Sequence, residues 1–315
     1  MRKSSVVLWF VCGAALLLSF CSGRAGLVDA HTIELIDQAR MLDFDEDWPG
    51  FQPGIYPLDI YRKNLLTRDS VIRYDSDGLR EIKDRTPVYA LSMDVDPDGQ
   101  VVVLLLNARD FRSFADAGDL DASSADLYYQ AAICHEAFHC FQAGQGLYDV
   151  YADGITARDG STVPATSRLL DADDEYRRLW VQEMEALAQY AKEDSRQNHQ
   201  LCFAAYQARL DYLYSRFDDT EVQEYLDYAA FYEKVEGTAQ YIENITLSKL
   251  SGKDLEFALT GYAEGTAKFY SSGFFKAFIL DRVADFDWKT DFFNTSVTFE
   301  DYLFTVPLQE CQEEQ

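Results

Sequence analysis

Two of the four histidines in this 315-residue chain stand four positions apart. They sit in the segment Cys134-His135-Glu136-Ala137-Phe138-His139-Cys140. On an α-helix His135 and His139 project from one face. Both can then hold one tetrahedral zinc, with Zn–N bonds of about 2.0–2.1 Å. Glu136 falls beside them, within reach of a zinc-bound water instead of the metal. Zinc lowers the pKa of such a water to about 7, and a carboxylate can accept its proton. Histidine is scarce here, the motif lies mid-helix, and its flanks Ile133, Phe138 and Phe141 are apolar. These features favour a metal over chance, and they require a long helix with a second element bringing a further ligand.

A catalytic zinc usually takes three protein ligands and a water, and a buried carboxylate is a common third donor. One candidate is Glu236, in Tyr232-Glu-Lys-Val-Glu236-Gly237-Thr238-Ala239-Gln240-Tyr241-Ile242-Glu243. Gly237 and Ala239 keep that segment thin, which suits close approach to the metal helix. Glu233, Gln240 and Glu243 nearby suit a solvated acidic face instead. The other candidate is Glu183, which follows Leu179 and Trp180 and precedes Ala186 and Leu187 at helical spacing. An unpaired carboxylate on such an apolar stripe is costly or protonates. Its compensation would be the metal, a histidine that binds the metal, Arg209 or Arg216. His31 and His199 read as ordinary surface histidines.

Residues 1–26 read as an export signal. Arg2 and Lys3 precede an apolar run over residues 6–20, and small residues follow near 23–26. That run is short for a membrane span, and no later segment approaches the required length, so the mature chain is expected to have none. Leu18-Ser19-Phe20-Cys21 loosely resembles a lipobox, which would place a lipid anchor on Cys21. The expected location is periplasmic or extracellular, free or tethered as a lipoprotein. Losing Arg2, Lys3 and Arg24 with the signal takes 28 basic residues to 25 and the charge from −26 to −29. Such a charge argues against nucleic acid or an anionic membrane as partner, since both need basic surface. Outside the signal stand Cys134, Cys140, Cys202 and Cys311. Cys134 and Cys140 point to different sides of one helix, whereas a bridge from either to Cys202 or Cys311 is open.

The pattern predicts an α+β protein: a mixed α/β subdomain over residues 27–118 and a helical, metal-binding one over 119–315. In the first, residues 31–42 have helical spacing and residues 45–54 form a loop punctuated by proline and glycine. Two β-rich runs, 87–95 and 100–107, flank Asp96-Pro97-Asp98-Gly99 as a hairpin. Residues 101–106 look buried on both faces; they also suit a strand that pairs with an extended peptide. A helix of about 20 residues is predicted from Ser123 to Gly144. An irregular stretch at 144–172 follows, and then helices near 173–193, 197–217, 220–250 and 264–284.

His135-Glu-Ala-Phe-His139 followed by Glu236-Gly-Thr-Ala-Gln-Tyr-Ile-Glu243 resembles the gluzincin metallopeptidases, in particular their aminopeptidase-N-like branch. The resemblance covers the chain from Ser123 to about Thr290 and implies a zincin-like fold. It implies Zn2+ held by His135, His139 and Glu236, and peptide-bond hydrolysis with Glu136 as general base on a peptide or protein substrate. Tyr270-Ser-Ser-Gly273 is similar to that branch's later Tyr-x-x-Gly helix, which implies that Tyr270 stabilises the oxyanion. Thr238 replaces a usual phenylalanine, and the span from His139 to Glu236 is long for the branch. Chain order thereby points to Glu183 where the motif points to Glu236. The Gly-Ala-Met-Glu-Asn element that binds a substrate amino terminus is absent, so aminopeptidase activity does not carry over. His-Glu-x-Phe-His-x-Phe-Gln, with the later helices, also resembles uncharacterised exported bacterial proteins. Two other functions fit the same residues: a catalytically silent zincin scaffold that binds a partner, and an amidase acting on non-peptide amides.

Overall fold

Five strands build one sheet in the first half of the chain, and helices make up most of the remainder. The computed structural model describes residues 27–63, 68–117, 122–151, 163–255 and 261–304. The export signal expected over 1–26, including Cys21, lies outside these residues, as does Cys311. Among the described residues no helix is long and apolar enough to cross a membrane. The chain divides into two compact units, Met1–Ala143 with Ile242–Asp254, and Gly144–Tyr241 with Leu255–Gln315. This division falls elsewhere than the break at 118/119, because the long helix carrying His135 packs with the sheet unit.

The sheet of the first unit runs β3-β2-β1-β5-β4. Its strands are β1 (Leu58–Arg62), β2 (Ser70–Asp75), β3 (Gly78–Ile82), β4 (Ser92–Val95) and β5 (Val101–Leu105). β1 pairs parallel to β5, Ile60 opposite Leu105, and antiparallel to β2, Ile60 opposite Ile72. β4 and β5 form the expected antiparallel hairpin. β5 is bordered on both sides, by β1 and β4, so its residues are not an edge for an extended peptide. That corrects the peptide-pairing reading; the continuous apolar run matches the burial of Val102, Val103, Leu104 and Leu105, whose side chains alternate between the two faces. β1 carries the buried Asp59, whose carboxylate meets Nε of Arg73 and Nε of Arg85, each at 2.7 Å. Arg73 reaches on to Asp96 at 2.8 Å and ties the hairpin to the sheet.

Helix α1 (Ala30–Arg40) is capped by Asp29, which accepts from the Thr32 backbone N–H at 2.9 Å. α2 (Ala108–Ala117) leaves the end of β5, and its first N–H donates to Thr32 Oγ1 at 3.0 Å. α3 (Ala122–Gly144) carries His135, Glu136 and His139. It is pinned to β5 by the Tyr129 hydroxyl donating to Leu106 O at 2.7 Å, and to α1 by Gln130 bonding Gln38 at 2.8 Å. Its back face meets the proline-glycine loop as a ring cluster. Phe138 lies 5.0 Å from Trp48, 4.9 Å from Phe51 and 5.5 Å from Phe141, centroid to centroid.

The second unit holds α4 (Leu147–Val150), α5 (Ala165–Asp171), α6 (Asp174–Lys192), α7 (Arg196–Arg216) and α8 (Asp219–Tyr232). It also holds α10 (Ala267–Val283), α11 (Phe299–Phe304) and the first residues of α9 (Thr238–Ser251). α6 and α7 pack side by side, with Ser195 capping α7. Asp218 and Glu221 form a capping box at the start of α8. α8 runs into a π-helical turn, Glu233–Gly237, and then into α9, so residues 219–251 form one continuous helical segment. The sequence pattern predicts that segment as plain helix; the π turn is new. Within 144–172, expected to be irregular, α4 and α5 are short helices.

Candidate metal centre

The site starts from α3. Of residues 129–142, all described, only Glu136 is not buried. A helical stretch buried on every side but at one residue is a core element, and Glu136 alone in it stays part-exposed. His135 and His139 are buried on the same face, their rings 4.8 Å apart. Each imidazole is oriented through Nδ1. That of His135 lies 3.0 Å from Glu243 Oε2, and that of His139 lies 2.8 Å from Gln142 Oε1. An Nδ1–H donated to an oxygen fixes the tautomer and turns Nε2 toward a metal. Gln142 is fully buried and one helical turn beyond His139, so its amide cannot drift far from the ring.

The π turn offers a candidate third donor. Ligand atoms of His135, His139 and Glu236 lie within 4.8 Å of one another. Glu236 and Glu243 are seven residues apart, two turns along the same helical segment, and therefore share a face. That face presents one carboxylate as a candidate ligand and the other as the partner of His135. Within residues 233–239 only Glu236 is not buried. Two nitrogens and one carboxylate oxygen are a donor set suited to a catalytic zinc with an open fourth position. The residues present therefore fit the ion.

Glu183 is placed differently. Its carboxylate is buried against Arg209, with Oε1 3.2 Å from Nη2 and a second, shorter bond from Nε to Oε2. The compensation for its apolar stripe is therefore the guanidinium, and Glu183 is not in the group gathered with the histidines. Tyr270 stands part-exposed in the first turn of α10, three residues before Gly273. A Cβ on Gly237 would lie 2.4 Å from Gly273 Cα, so the two helices touch backbone to backbone there. Gly237 thus thins its helix for α10 instead of for α3. Glu236 and Tyr270 flank that contact, one on each helix.

The acidic residues around Glu236 are not a solvated face. Glu233 is buried and accepts from Lys276 Nζ at 2.6 and 2.8 Å and from Ser272 Oγ at 2.6 Å. Lys276 also pairs with Glu300. Burial opposes its charge, yet the two carboxylates together hold the ammonium above its ordinary range. Lys234, fully buried, donates to Phe292 O at 2.7 Å and Thr295 O at 2.8 Å.

Cys134, Cys140 and Cys202 are free and buried, so no bridge joins Cys134 or Cys140 to Cys202. Burial pushes the Cys134 thiol up to about 12. It pushes Cys140 up as well, with help from the charge on Glu136. Both thiols are therefore held in the protonated form. His31 lies 3.2 Å from Asp126, and His199 Nε2 bonds Leu303 O at 2.9 Å; both are part-buried and outside the group formed by His135, His139 and Glu236.

Sequence reasoning passed over the role of Gln142, the pairing of Glu243 with His135, and the π turn. The seven-residue spacing of Glu236 and Glu243 was the available signal for the second of these. No family model, curated protein or solved structure matches the chain.

Proposed function

We propose that this chain is an exported, zinc-dependent metallohydrolase that cleaves peptide bonds on a zincin-like, gluzincin-type scaffold. The observation that carries the reading is the convergence of His135, His139 and Glu236 within 4.8 Å beside the part-exposed Glu136. A zinc ion bound there supplies Lewis acidity, which polarises a carbonyl and acidifies water. Glu136 has the position and exposure to take the proton of the attacking water and deliver it to the departing amide nitrogen. Tyr270, part-exposed across the glycine contact from Glu236, donates its hydroxyl hydrogen to the oxyanion as it develops. Glu243 and Gln142 hold the imidazoles and touch no reacting atom. Export rests on the amino-terminal sequence pattern alone.

The test is Glu136→Gln, which keeps the shape of the side chain and removes its basicity. Zinc content should stay at the wild-type level, while hydrolysis of a peptide library falls by about 10²–10⁴-fold. Unchanged hydrolysis with zinc still bound would contradict the mechanism.

A further inference from the structure

Glu236 is offered from an unusual piece of backbone. π-helical turns are rare and mostly occur as single bulges inside α-helices, often at functional sites. In an uninterrupted α-helix, residues three apart share a face, so Glu233 and Glu236 would point the same way. The wider turn at Glu233–Gly237 separates them. Glu233 becomes buried against α10, while Glu236 stays part-exposed beside the histidines.

The surroundings hold this turn at three places. Glu233 is fixed by Lys276 and Ser272, and Lys276 is fixed in turn by Glu300 on α11. Lys234 is tied to the backbone carbonyls of Phe292 and Thr295. Gly237 is pressed on Gly273, whose own added Cβ would stand 2.5 Å from Glu233 O. Relaxing the turn to plain α-helix would rotate Glu233 away from Lys276 and leave a buried ammonium with one carboxylate fewer. A buried ion pair of this kind is better suited to fixing one arrangement than to adding net stability.

We propose that Lys276 and Glu233 are positioning residues: their buried pair selects the π turn and thereby sets the carboxylate of Glu236 for metal binding. This rests on the reading of Glu236 as a metal ligand. Neither residue touches the ion or a substrate.

The experiment uses the full chain and two probe metals. Zinc affinity is measured by competition with a chromophoric chelator, and the visible spectrum of bound Co2+ reports coordination geometry. The double variant Glu233→Gln with Lys276→Gln removes the charges while keeping the volumes. It should fold cooperatively, bind zinc about 10–100-fold more weakly, as when other groups that orient ligands are lost, and give a changed Co2+ spectrum. Glu183→Gln with Arg209→Met, which removes another buried pair of the same unit, should lower stability and leave affinity and spectrum as in wild type. A folded Glu233/Lys276 variant with wild-type affinity and spectrum would overturn the proposal. If that variant does not fold, Ser272→Ala carries the test. It removes one hydrogen bond to Glu233, so several-fold weaker binding supports the proposal and wild-type binding overturns it. A wild-type chain that binds neither metal would instead remove the reading of the site, and the proposal with it.

Discussion

Glu243 Oε2 lies 3.0 Å from Nδ1 of His135, joining α9 to the histidine-bearing face of α3. A carboxylate in this position orients the ring and raises the basicity of its other nitrogen. Glu243→Gln keeps a hydrogen-bond acceptor but loses the charge, and Glu243→Ala loses both. Zinc affinity, measured by chelator competition, should fall through the series, with the alanine variant about 10–100-fold weaker than wild type. Equal affinity in all three proteins would mean that the contact is incidental.

The contact between Gly237 and Gly273 admits no side chain. A Cβ on Gly237 would stand 2.4 Å from Gly273 Cα, and neither backbone can yield as a flexible side chain would. Gly237→Ala should cost at least the upper part of the about 1–3 kcal/mol typical of overpacking, read from denaturant unfolding. It should also weaken zinc binding, because the turn bearing Glu236 must shift. An alanine variant with wild-type stability would show that the helices stand further apart than described.

Glu183 and Arg209 are each almost fully buried and face one another. Glu183→Ala leaves the guanidinium unpaired in the core and should destabilise by about 3–5 kcal/mol. Its metal content, measured on folded protein, should match wild type. Loss of zinc from a folded Glu183→Ala variant would make Glu183 a ligand and contradict the assignment of Glu236.

Glu233 sets a pH dependence of stability. Burial pushes its carboxyl from 4.5 up to about 7, against the opposing pull of Lys276. The folded state therefore holds this proton more tightly than the unfolded chain. Its contribution is fully present below pH 4.5 and is lost as pH rises toward about 7. Glu233→Gln carries no such proton, so between pH 5 and 8 its denaturation midpoint should fall less with rising pH than that of wild type. Parallel pH profiles for the two proteins would contradict this.

What could be read from the sequence, and what could not, follows from the range of the forces involved. α3 was legible from Ser123 to Gly144 because its signal is local: helical spacing, a start and a stop within one segment. The same holds for α6, α7 and α10, whose observed bounds fall within three residues of those expected. Strands β1 to β3 were not individually legible. β1 places Asp59 in the core, and what makes that tolerable is Arg73 and Arg85, well beyond any local window. The π turn was hidden for the same reason, since Lys276 and Gly273 lie some forty residues downstream. Gly237 shows the limit clearly. Its smallness was visible as a demand for close approach, but the identity of the approaching helix was not. His135, Glu136 and His139 were legible as a unit because the chemistry that relates them fits within one helical turn.

The most direct test of the central claim is the metal content of the purified full chain, wild type against His135→Ala, Glu236→Ala and Glu183→Ala. The account predicts about one zinc per wild-type chain, lost with His135 or Glu236 and kept without Glu183. A wild-type protein that takes up no zinc after reconstitution, or one that keeps it in Glu236→Ala, would contradict it.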